Sequence, residues 1–243
     1  MCFFGLKQHP SQIFPLIVYT RQFQCHQNFI FAFFPSSIWA ICVCFNTSYK
    51  NDFSPKLNID GVMLEVVKEM KLLGVIVTND LKWHQNTQHI TSKAYKRLWI
   101  IKRLKQMGAS NTVLIDVYTK QVRSILEFAC VVWNSSLTQD NINAIERVQK
   151  SAFSVIIGSR YNTYKEACQK LNMETLSKRR ENLSIKFANK SSKHPIHSQW
   201  FVPYQEESVT RSEKPAFKPV QGRTERLLKS AIPYLTSLLN KKK

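Results

Sequence analysis

A chain of 243 residues, 44% hydrophobic and 21% charged, holds enough apolar side chains for one good core or two small ones, which excludes a disordered polymer. Lys and Arg number 35 against 16 Asp and Glu, a formal net charge of +19. Such an excess points to a polyanion as partner, because each neutralised phosphate releases condensed counterions. Nucleic acid is preferred to an anionic membrane surface or a merely solvated face. The cysteines Cys2, Cys25, Cys42, Cys44, Cys130 and Cys168 fit no zinc or disulfide spacing, so a reducing compartment, nuclear or cytoplasmic, is expected.

Composition changes near residue 45. The first 45 residues hold two basic side chains, Lys7 and Arg21, no acidic one, and nine of the 15 phenylalanines. Beyond them, 33 basic residues against 16 acidic ones leave +17. The run Phe29 to Phe45 is apolar but broken by Pro35-Ser36-Ser37, at the lower edge of membrane-spanning length. It is expected to be a poorly structured leader of unrelated origin. A membrane anchor is the alternative, and core the remainder. A signal peptide fits less well, since the apolar block starts late and no small-residue cleavage site follows it.

From Asn46 the pattern is that of an ordered domain. Lys56 to Ile59 and Met63 to Val67 flank Asp60-Gly61, a dipeptide suited to a tight hairpin turn, and Leu72 to Val77 follows as a third short strand. Ile90, Ala94, Leu98, Ile101 and Leu104 recur at three and four, predicting a helix from about Asn86 to Met107, closed by Gly108. Ser110 caps a second, with the stripe Leu114, Val117, Val122, Ile125 and Ala129. Thr138 caps a third, with Ile142, Ile145, Val148, Ala152 and Val155, closed by Gly158. Thr163-x-x-Glu166 is a capping box, and Leu176, Leu183 and Phe187 mark a helix from about Glu174 to Lys190. After His194 a mobile linker is expected. The last amphipathic piece, Arg223 to Asn240, carries Leu227, Leu228, Ile232, Leu235 and Leu238, and Pro233 must kink or interrupt it.

The strongest chemical feature is electrostatic. From Leu81 to Ile115 there are seven basic residues and no acidic one, and Lys96, Trp99, Lys102 and Arg103 lie opposite the apolar stripe with Tyr95 beside them. Cations on such a face suit a sugar-phosphate backbone, and exposed aromatics suit a base or sugar. The bland alternative has Trp99 and Tyr95 packed on a neighbouring helix and the lysines simply wet. A second basic cluster is Lys178, Arg179, Arg180, Lys186, Lys190 and Lys193. Paired aspartates, a Gly-rich phosphate loop and a nucleophile elbow are missing, so no catalytic residue is assigned. His84 with His89, and His194 with His197, have no ligand-spaced partner and are expected to be ordinary surface or interface histidines, with no metal.

The stretch KLLGVIVTNDLKWHQNTQHITSKAYKRLWIIKRLK resembles the region downstream of the catalytic motifs in non-LTR, LINE-type, jockey-like retrotransposon reverse transcriptases. The likeness runs from about Phe45 to Asn240, through Ile145-x-x-Val148-Gln149-Lys150 and the RRENL run, and excludes the leader. It implies that Leu73, Gly74 and Val75 form a primer-grip turn and that the following helices form a thumb. Lys93, Lys96, Arg97, Lys102 and Arg103 would then face an RNA-DNA or DNA duplex, with Trp99 on the same helix. The family's Ala-Asp-Asp motif belongs just upstream of Phe45, where the Phe-rich leader stands instead. The resemblance therefore implies a truncated, non-catalytic copy. Magnesium would belong only to an intact polymerase, itself a possible protein partner.

The expected fold is mainly α within the α+β class: a small antiparallel hairpin or sheet, then a helical bundle. The expected divisions are a leader over 1–45, a β-hairpin and primer-grip-like strand over 46–80, a basic thumb-like bundle over 81–193, a linker over 194–222 and a C-terminal helix with a lysine tail over 223–243.

Overall fold

The computed structural model describes residues 39–41, 57–59, 62–204, 215–222 and 224–241. Two compact units divide the chain, Met1–Leu81 and Lys82–Lys243. In the first, strands β2 (Leu57–Ile59) and β3 (Val62–Val67) pair antiparallel with Ile59 opposite Val62, and β1 (Trp39–Ile41) joins β3 in parallel. The turn expected at Asp60-Gly61 lies outside the described residues, as does all of the Phe29 to Phe45 run except β1. β1 is an addition to the expected antiparallel sheet: the leader supplies a strand.

The third expected strand is a hairpin. Leu72 to Val77 does not run straight: β4 (Glu69–Leu72) and β5 (Val75–Thr78) pair antiparallel with Leu72 opposite Val75. Leu73 and Gly74 form the link at φ 46° and 89°. Two successive residues at positive φ match the right-handed twist of the flanking strands, and glycine takes the second at no steric cost. Thr78 ends the hairpin by donating its hydroxyl to Asp80 at 2.6 Å and accepting the Leu81 N–H at 2.9 Å.

The second unit is helical, as the periodicity predicts. Helix α1 (His84–Gln106) buries Ile90, Ala94, Leu98 and Ile101. Gly108, at φ 80°, stops it: the Ala109 N–H reaches the Leu104 carbonyl and the Gly108 N–H the Lys105 carbonyl, satisfying carbonyls that the helix end would leave unpaired. Ser110 accepts the Val113 N–H and starts α2 (Asn111–Val117), which continues through a π-helical turn, Tyr118–Arg123, into α3 (Ser124–Glu127). The wide turn moves the buried stripe. Leu114, Tyr118, Val122 and Leu126, four apart, are fully buried, whereas the expected Val117, Ile125 and Ala129 lie only half-buried. Ala129, at φ 49°, breaks the run before α4 (Cys130–Trp133).

Thr138 caps α5 (Gln139–Ile157) through the Asn141 N–H, and Gly158 at φ 69° closes it. Its inner face holds Ile145, Val148, Ala152, Phe153 and Ile156, each fully buried side chain contributing about 1.5–3 kcal/mol over exposure for the larger apolar residues. Thr163 accepts the Glu166 N–H at the start of α6 (Tyr164–Lys170). Helix α7 (Leu176–Ser191) buries Leu176, Arg180, Ser184, Ala188 and Ser191, so of its expected markers Leu183 is half-buried and Phe187 exposed. Beyond Leu176, small residues and one arginine occupy that face because α4 and α9 lie close against it.

The described ends of the expected linker are packed. Pro203 bridges Phe217, the Lys218 N–H reaches the Val202 carbonyl at 2.8 Å, and Phe201 sits in a core with Ala188 and Leu235. Apolar Trp200, Phe201 and Phe217 draw this stretch inward; residues 205–214 lie outside the described set. The final amphipathic piece is two helices, α8 (Glu225–Leu228) and α9 (Ala231–Asn240). The break falls at Lys229-Ser230, and Pro233 occupies the first turn of α9, where a missing N–H costs nothing. Among the described residues no helix is long and apolar enough to cross a membrane.

Candidate nucleic-acid interface

All six residues singled out on α1, Lys93, Lys96, Arg97, Trp99, Lys102 and Arg103, are exposed. Trp99 is 67% exposed and its neighbour Tyr95 43%, so neither is used up by packing on another helix. These cations form no ion pair with the described residues. Lys105 behaves differently: its ammonium donates to the Ile156 carbonyl at 2.9 Å and to Asn111 at 3.3 Å, tying α1 to the last turn of α5. Cations near the C-terminal end of a helix are favoured by its dipole, so Lys105 acts as a structural clamp.

Helix α1 packs along α5, and a groove of about 570 Å³ follows their outer seam. Tyr95, Lys96, Trp99 and Lys102 line one wall; Lys150, Ser151 and Ser154 line the other, with Tyr161 beyond the end of α5. No carboxylate lines it. The groove thus gathers half of the six α1 residues. Lys93 precedes Lys102 by nine positions, about two and a half turns, which puts it on the opposite side of the helix, and Arg97 lies on that flank too. Arg103, seven positions after Lys96 and four after Trp99, shares their exposed face of α1 but does not line the groove.

A buried polar chain sets the rotation of α5 and therefore the placement of Lys150. Gln149 is fully buried, accepts the Tyr118 hydroxyl at 2.5 Å, and donates to Tyr164 at 2.9 Å and to the Glu174 carbonyl at 2.9 Å. Tyr164 donates onward to Glu146, whose carboxylate accepts the Ser177 N–H at 2.6 Å and the Leu176 N–H at 3.4 Å. A carboxylate at the N-terminal end of α7 meets unpaired N–H groups and the positive end of the dipole. Burial holds both tyrosine hydroxyls far above the ordinary tyrosine value, and at Tyr164 the bond to Glu146 adds to it. With Gln149 turned inward, the next residue is turned out, where the Lys150 ammonium lies 5.2 Å from the Tyr164 ring centroid, a cation–π distance.

The second basic cluster does not act as one surface. Arg180 is fully buried beside the Trp133 ring, donating from Nε to Asn134 at 2.8 Å, and burial lowers its pKa. Arg179 makes a two-pronged pair with Glu127, at 2.5 and 3.1 Å. Lys178 pairs with Glu181, leaving Lys186, Lys190 and Lys193 exposed. In the first unit Leu73 is 73% exposed at the hairpin tip, Gly74 is exposed and Val75 is buried. His84 lies 3.3 Å from the Asn141 side chain, while His194, His197 and Trp200 stack in succession at 4.4 Å.

Comparison with protein families, curated proteins and solved structures finds no match for this chain. Lys150, Ser151, Ser154, Val155 and Tyr161 are the groove residues that reading α1 alone misses. Lys150 stands in the quoted Ile145-x-x-Val148-Gln149-Lys150 run, but its side of the groove follows only from the buried bonds of Gln149.

Proposed function

We propose that this chain is a non-catalytic nucleic-acid-binding module, a truncated remnant of a retrotransposon RNA-directed DNA polymerase behind unrelated sequence. The observation that carries the binding half of this reading is the α1–α5 groove, with Lys96, Lys102 and Lys150 along it, aromatic faces open to solvent and no carboxylate in its lining. Lysines in such a setting neutralise phosphates and gain the entropy of the released counterions. The remnant half rests on the sequence resemblance, in which the groove belongs to the thumb, the exposed Leu73-Gly74 tip to the primer grip, and an intact polymerase from another copy is a partner.

Fluorescence anisotropy of the full chain with an RNA-DNA hybrid and a DNA duplex tests the binding. Replacing Lys96, Lys102 and Arg103 together by Glu is expected to weaken binding by about tenfold or more at moderate salt. Unchanged affinity in that variant removes the proposed surface. Magnesium-dependent primer extension by the purified chain would overturn the non-catalytic reading.

A further inference from the structure

We infer that the α1–α5 groove takes an unpaired single strand, with consecutive bases on Tyr95 and Trp99, rather than the flank of a duplex. The inference rests on the groove being a nucleic-acid site and specifies which form of nucleic acid fills it.

Aromatic faces carry the argument. Within a duplex each base is already stacked on its neighbours, and only its edges and the sugar-phosphate chain meet a protein. A solvent-exposed ring in a cationic groove can stack face to face only with a base that has left its own stack. Trp99, at 67% exposure, and Tyr95, at 43%, line this groove together. They are four residues apart on one helix, hence about 6 Å apart along its axis. A stacked strand advances only about 3.4 Å per nucleotide. The two rings therefore suit successive bases of an extended, unstacked strand.

The rest of the lining agrees in chemistry. Lys96 and Lys102 flank Trp99 by three residues on either side, and Lys150 stands across the groove, so phosphates on either side of a base seated on Trp99 meet an ammonium. Ser151 and Ser154 bring hydroxyls on the α5 wall, and Tyr161 a third ring. The volume of about 570 Å³ falls in the range of small-ligand clefts, which hold a nucleotide or two and not a helix of stacked pairs.

The test compares two probes on the full chain by anisotropy: a labelled oligo-dT of about twelve nucleotides, inside the site size of single-strand grooves, and a blunt RNA-DNA hybrid of equal length. The oligo-dT is expected to bind tighter. Trp99→Ala should weaken oligo-dT binding by about tenfold, Trp99→Phe should restore most of it, and hybrid binding should move less than twofold in both variants. Tighter binding of the hybrid, or equal indifference of both probes to Trp99→Ala, overturns the single-strand assignment while leaving a salt-sensitive duplex site standing. If neither probe binds at low salt, the groove is not a nucleic-acid site at all and both readings fall.

Discussion

The Tyr118 hydroxyl donates to the Gln149 side-chain oxygen at 2.5 Å across 31 residues of sequence, joining the π-helical turn to α5 inside the core. Gln149 uses both ends of its amide there, so three polar groups depend on it, the buried Tyr118 hydroxyl and the part-buried Tyr164 hydroxyl and Glu174 carbonyl. Gln149→Leu strands the Tyr118 hydroxyl and the Glu174 carbonyl, and should lower stability by about 2–4 kcal/mol in a urea melt. Adding Tyr118→Phe to that variant should cost less than the same change in the native chain, because the stranded hydroxyl leaves with its partner. Additive losses would show that the two side chains do not interact.

Alkali should loosen the same chain. Burial raises the Tyr118 and Tyr164 hydroxyls above the value they have in the unfolded chain, so the unfolded state releases protons first as pH rises. Their stabilisation is fully present below the ordinary tyrosine value of about 10 and is lost progressively above it. Denaturant midpoints measured across that range should fall with pH, and Tyr118→Phe should flatten the fall. A midpoint that is flat or rises through it contradicts the buried, neutral phenols.

Arg180 stands in the core with Nη1 and Nη2 making no hydrogen bond and only Nε satisfied. Desolvating a guanidinium without full pairing is expensive, so an apolar side chain of similar length should serve as well or better. Arg180→Met is expected to leave stability unchanged or raise it by about 1 kcal/mol, whereas Arg180→Ala opens a cavity and should cost about 2 kcal/mol or more. A large loss in the Met variant, read by thermal or urea unfolding, would mean the buried charge has a partner essential to the fold.

Helix limits were legible where local chemistry alone sets them. Gly108 and Gly158 take positive φ, and Ser110, Thr138 and Thr163 accept an N–H three residues on, irrespective of what the helices pack against. Inner faces were harder. Tyr118, Glu146 and Gln149 are polar residues that go inside because distant partners satisfy them, and Arg180 goes inside with only its Nε bonded, to Asn134; an apolar stripe cannot register such partners. Their entry displaces Val117, Ile125, Leu183 and Phe187 from the centre of the core. For the site, the α1 wall followed from charge and periodicity. The α5 wall did not, since it depends on how Gln149 rotates Lys150. The hairpin at Leu73-Gly74 was hidden from the strand reading because apolar side chains continue on both sides of Gly74, which says nothing about two successive positive φ angles.

The most direct measurement of the central claim is the slope of log affinity against log salt for oligo-dT and for the RNA-DNA hybrid, in the native chain and in Lys150→Glu. Lys150 belongs to the helix that the charge pattern of α1 does not include, and it lies on the groove wall facing Lys96 and Lys102. If the α1–α5 groove grips phosphates, affinity falls steeply with salt, and losing Lys150 weakens binding and reduces the slope by about one. A slope and an affinity that ignore Lys150, or no binding at low salt, would contradict the account.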